Sequence, residues 1–96
     1  MALTERFEND KIEVVGTYKA VQVRRANIIE RDGVEISRSF HRHVLQPGRI
    51  DENDNLVETD LSGEDADVQA ICNAAWTAEL KESWRQYLVS QKDVTP

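Results

Sequence analysis

The chain predicts an α+β domain: an antiparallel β-sheet over residues ~11–45, packed by one or two C-terminal helices over ~64–90. Three observations carry this. Between Lys11 and Leu45 the chain is rich in β-formers, with Asp32-Gly33, the strongest short hairpin signal, in their midst. Gln46-Pro47-Gly48 then stops the sheet. From Val68 to Leu88 apolar residues recur at helical spacing.

Ile12, Val14 and Val15 open the sheet, and Gly16-Thr17 reads as a turn or bulge. Tyr18 to Arg31 and Val34 to Leu45 follow as strands. A two-residue turn at Asp32-Gly33 sets Ile29 opposite Ile36, Arg25 opposite Phe40 and Val21 opposite Val44. Val21, Val23, Ile29, Ile36, Phe40 and Val44 then share one face as the expected core. Gln22, Arg24, Ser37, Ser39, His41 and His43 share the other. A three-residue turn with a bulge would keep Ile28 opposite Ile36 and scatter the rest.

In the second half, Ser62-Gly63-Glu64-Asp65 approximates a capping box, so Ser62 is expected to open a helix. Val68, Ile71, Cys72, Trp76, Leu80 and Trp84 form its apolar stripe and complete the expected core. Thr77, with Glu79-Leu80 behind it, offers a second cap, which leaves one long helix or two open. The expected organisation is one small domain, 1–96: an N-terminal extension (1–10), sheet (11–48), acidic loop (49–63), helical segment (64–90) and polar tail (91–96). Leu56, Val57 and Leu61 are the apolar anchors in the acidic loop.

The net charge is −6, which argues against nucleic acid as a partner, since polyphosphate needs a net basic surface. The charge is unevenly spread. Residues 18–49 carry seven basic and three acidic groups, whereas residues 50–96 carry three basic and eleven acidic. Cys72 is the only cysteine, so no internal disulfide can form. The charged start, with Glu5, Arg6, Glu8 and Asp10, does not read as a signal peptide, and no stretch approaches the ~20 apolar residues of a membrane span.

Chemistry-bearing motifs are sparse. His41 and His43 lie two apart on a strand, so both imidazoles could reach one zinc ion. A closed site needs two further ligands, and the lone thiol sits on the core stripe, so the expectation is exposed histidines and no metal. Asp51-Glu52-Asn53-Asp54-Asn55 starts like a calcium loop, but Leu56 and Ser62 stand where glycine and glutamate are required. No glycine-rich phosphate loop or nucleophile-base arrangement is present. The expectation is therefore a non-enzyme with no cofactor and no small-molecule substrate. Arg24, Arg25, Arg38 and Arg42 cluster on the central hairpin and are the candidate interaction residues, pairing with acids of the C-terminal half or of another subunit.

Three stretches taken together, DKIEVVGTYKAVQVR (Asp10–Arg24), SRSFHRHVLQP (Ser37–Pro47) and DVQAICNAAWT (Asp67–Thr77), resemble small uncharacterised proteins of marine tailed bacteriophages, including cyanophages. The resemblance covers about two-thirds of the chain and transfers no functional residue. It implies a phage context, in the virion or the host cytoplasm. The first expectation is a minor virion structural or assembly component that self-associates or docks to a larger structural protein. The alternative is a free acidic inhibitor or adaptor of a host protein, with residues 51–67 as the binding face.

Overall fold

The structure, a computed structural model, describes residues 2–92. Three long strands, β1 (Leu3–Val15), β2 (Ala20–Arg31) and β3 (Val34–Leu45), form an antiparallel meander in the order β1-β2-β3. A short hairpin follows, β4 (Gly48–Ile50) paired with β5 (Leu56–Glu58), and then two helices, α1 (Ala66–Ala75) and α2 (Ala78–Lys92). The fold is α+β, as the sequence predicts.

The molecule is elongated, 60 × 31 × 22 Å. Strands of 12 and 13 residues at roughly 3.3 Å each span about 40 Å. The helices cover only one end of the sheet. There Val21 and Val23 of β2 meet Val68, Cys72 and Trp76, with Ile12, Leu45, Leu61, Ile71, Ala75 and Leu80 packed around them. The other end projects as an arm. Ile28 and Ala26 are fully buried within it. Ile28 lies between its cross-strand neighbours Arg6 and Arg38, whose aliphatic stems shield it. Ala26 lies between Glu8 and Phe40.

The hairpin turns at Asp32-Gly33, with Arg31 opposite Val34 and positive φ at both turn residues (52° and 83°), the signature of a type I′ turn. Glu30 faces Glu35 as that turn requires. A bulge at Ile36 then shifts the ladder by one residue. Ile29 faces Ser37, Arg25 faces His41 and Val21 faces Leu45. A one-residue slip moves every later side chain to the opposite face. Phe40 and Val44 therefore turn away from Val21 and Val23. Ile36, Phe40 and Val44, expected in the core, are exposed (53%, 39% and 52%), and Ile29 is half-buried.

Four segment boundaries also differ from expectation. Residues 3–10 are not an extension but the outer half of β1, paired with β2 from Leu3 onward. The acidic segment folds into β4–β5, where Gly48 permits close approach of the strands: a Cβ there would meet the Val57 carbonyl at 2.5 Å. Ser62 does not open a helix. Helix α1 starts at Ala66 with Asp65 at the cap position, and Asp65 makes no side-chain capping bond. The second helix is separate, as Thr77 allows, and the Leu80 amide donates to Thr77 Oγ1 at 3.1 Å. Of the expected tail, residues 91 and 92 belong to α2, and residues 93–96 lie outside those described.

The two tryptophans hold the helical end together. The Trp76 indole N–H donates to the Lys19 carbonyl at 2.7 Å, tying α1 to the β1–β2 turn. The Trp84 N–H donates to the Gly48 carbonyl at 2.7 Å, tying α2 to the short hairpin. Trp84 also stacks on Tyr87 (5.5 Å between centroids) and meets Tyr18 at 5.3 Å. Trp84 and Leu80 are half-buried, so the stripe from Trp76 is covered less completely toward its C-terminal end. Ion pairs from Lys81 to Glu58 and from Lys92 to Asp54 complete the seam between α2 and the β4–β5 hairpin.

Candidate functional site

The four candidate arginines divide between the two faces of the sheet. On the helix side, Arg25 reaches Asp65 at 3.3 Å and lies over the Phe7 ring at 5.8 Å. Asn9 donates to Asp65 and Asp67 beside it. His43 shares this face, with Nε2 3.0 Å from Glu64 Oε1. The shifted register also puts His41 here, opposite Arg25. Basic and acidic halves of the chain thus meet within one molecule at this junction.

Arg24, Arg38 and Arg42 occupy the outer face with Phe40. A bulge at Asp10 on β1 aims its carboxylate at Arg24, which grips it through two bonds of 2.9 and 2.8 Å. The Arg24 hydrogen bonds hold the Asp10 carboxyl below the usual carboxylate range. Arg38 binds Glu35 (2.7 and 3.0 Å) and reaches Glu8 and Asp10. Those bonds raise the Arg38 guanidinium above its ordinary value, the Glu35 bond most strongly, and hold the Glu35 carboxyl low. The Arg24 guanidinium stacks 4.4 Å from the Phe40 ring centroid, and Arg42 approaches it at 5.9 Å. Arg42 makes no ion pair among the described residues. A shallow cleft of about 260 Å³ beside it has Lys11, Glu13, Gln22, Arg24, Arg42 and His43 among its lining residues.

Beyond this face runs an uncovered edge. Every residue of β3 from Val34 to Val44 is exposed, and only Leu45 is half-buried. Among the described residues, four of the eight exposed large apolar side chains, Val34, Ile36, Phe40 and Val44, lie on this one strand. Leu3 and Phe7 are exposed on the arm's other edge strand, β1. An edge strand carries unpaired amide and carbonyl groups, so β3 offers backbone hydrogen bonds, apolar side chains and guanidinium groups along one line.

Among the described residues no three His, Cys, Asp or Glu side chains gather as a metal site. His41 and His43 share a face, but His43 is engaged by Glu64. Cys72 is fully buried in the core with Val21, Val23, Val68 and Trp76, and burial pushes its thiol pKa up, so it serves as a packing residue. No described helix is long and apolar enough to cross a membrane.

The sequence singled out the arginine cluster; it missed Asp10, Glu8, Glu35 and Phe40 as the cluster's partners. The period-two spacing of Arg24 on β2 with Arg38, Phe40 and Arg42 on β3 was available, but their shared face emerges only once the Ile36 bulge is known. No protein-family model, no curated protein and no solved structure matches this chain.

Proposed function

We propose that the protein is an assembly module, a minor structural component of a bacteriophage particle that works by binding another protein chain along its sheet arm. The observation that supports this best is the β3 edge, exposed from Val34 to Val44, with Val34, Ile36, Phe40 and Val44 uncovered along it. A chain of this size buries only about 60–65% of its unfolded surface, and a partner lying on the arm would add the burial that it lacks. Strand addition suits such an edge: main-chain bonds supply affinity, and the alternating side chains supply specificity. The phage context rests on the resemblance of the three sequence stretches.

The alternative of a free acidic inhibitor needs residues 51–67 as an open acidic face. Several of those acids already have partners. Asp65 binds Arg25, Glu64 meets His43, Asp54 meets Lys92 and Glu58 meets Lys81. The test is quantitative mass spectrometry of purified particles. A fixed copy number per particle is the expected result. Protein found only in the soluble fraction of infected cells would overturn the virion reading.

A further inference from the structure

The two free edges of the arm are not equivalent. On β1, Glu8 and Asp10 are engaged by Arg6, Arg38 and Arg24, and a bulge at Asp10 interrupts the ladder. On β3, Ser37 to Leu45 is regular, with no proline, no lysine and no bulge; its charged side chains are Arg38, already bound to Glu35, and Arg42. The geometry points to a second copy of this chain as the occupant of the β3 edge, paired antiparallel to the first about a twofold axis through His41. This rests on the assembly reading above and specifies its surface and its partner.

The charge pattern selects that axis. An antiparallel edge offers its outward backbone groups on alternate residues, so self-pairing must centre on a residue rather than between two. A twofold through Phe40 sets Arg38 directly against Arg42 of the second copy. A twofold through Arg38 or Arg42 sets that guanidinium against its own mate. Like charges directly opposite are destabilising. A twofold through Ser39 runs Arg42 into the bulge at Ile36, and one through His43 leaves Phe40 beyond the paired region.

Centring on His41 pairs the whole regular stretch, Ser37 through Leu45, with itself. On the outer face Arg38 then lies opposite Val44, and Phe40 opposite Arg42, in both directions. Arg42, which makes no ion pair among the described residues, is thereby placed beside a second aromatic ring. On the helix face Ser37 meets Leu45, Ser39 meets His43, and His41 meets its mate. The axis also carries the helices of the two copies to opposite ends of the shared sheet. The helix-side contacts of β3 lie at its Leu45 end, so neither set of helices blocks the other. The product is a six-stranded antiparallel sheet with C2 symmetry, the commonest closed arrangement.

The test combines sedimentation equilibrium with cysteine cross-linking of the full chain. His41→Cys puts two thiols face to face across the axis, where paired strands hold Cα atoms about 4.5–5.5 Å apart, within disulfide range. Ser37→Cys is the control, since its mate lies eight residues along the strand, about 26 Å away. The buried native Cys72 does not compete. The expected result is a concentration-dependent dimer, efficient cross-linking of His41→Cys and none of Ser37→Cys. His41→Lys, which sets two like charges opposite each other at an exposed position, should weaken the dimer about tenfold or more while leaving the circular dichroism of the monomer unchanged. A dimer that neither cross-links through His41→Cys nor weakens in His41→Lys would overturn this pairing and leave the assembly reading standing. A strict monomer at all concentrations would overturn the pairing, and the particle analysis would then decide the assembly reading separately.

Discussion

Replacing Trp76 with alanine tests whether the helical end depends on the contact between α1 and the base of the sheet. Trp76 is 5% exposed and packs with Val21, Val23, Val68 and Cys72, and its indole N–H closes on the Lys19 carbonyl. Removing a buried tryptophan costs about 3–5 kcal/mol through lost burial and the cavity left behind. A chain of this length has a total stability of about 5–15 kcal/mol, so the variant should be marginal or unfolded. Trp76→Phe keeps most of the apolar volume but strands the Lys19 carbonyl, and should cost less, about 1–3 kcal/mol. Urea unfolding followed by far-UV circular dichroism measures both, and Trp84 remains as an independent fluorescent probe. With a urea slope of about 1–1.5 kcal/mol per molar, Trp76→Ala should lower the midpoint by roughly 2 M or more. A cost below about 1 kcal/mol for Trp76→Ala would refute the packing described here.

Gly33→Val should destabilise the hairpin by about 1–2 kcal/mol, because Gly33 sits at φ 83° in open space and the cost is backbone strain alone; thermal unfolding reads it. Asp10 is held low by Arg24, so its contribution to stability is present above the ordinary carboxylate range and is lost as pH falls below about 4. Asp10→Asn should therefore lower stability at neutral pH and flatten the acid limb of a stability-against-pH curve. The Cys72 thiol should react slowly with a thiol reagent in the native protein and fully in denaturant, since it is buried and its pKa is raised.

The strength of the local signals decided what could be read from the sequence. Asp32-Gly33 specifies its own backbone geometry, so the turn was legible, whereas Thr77 offered a second cap that left one helix or two open. The Ile36 bulge has no comparable signature. Nothing in the chemistry of Glu35-Ile36-Ser37 announces an extra residue, yet it reverses the face of everything from Ser37 to Leu45. That one feature moved Phe40 and Val44 out of the expected core. The outer half of β1 was hidden differently. Leu3 and Phe7 share a face with Glu5 and Asn9, so no apolar alternation marks the strand, and its acids resembled a solvated extension because it lies on an arm with no covering layer. Ala26 and Ile28 were missed for a related reason: they are buried under arginine stems and Phe40, not under another element.

The central claim is that β3 is the surface through which this protein assembles, and hydrogen-deuterium exchange at low and high protein concentration, resolved by segment, tests it most directly. Self-association along β3 predicts that amides between Ser37 and Leu45 gain protection as concentration rises, while those of α1 and α2 exchange at an unchanged rate. Protection that grows instead on the helices or on the β4–β5 hairpin, with β3 unaffected, would contradict the claim.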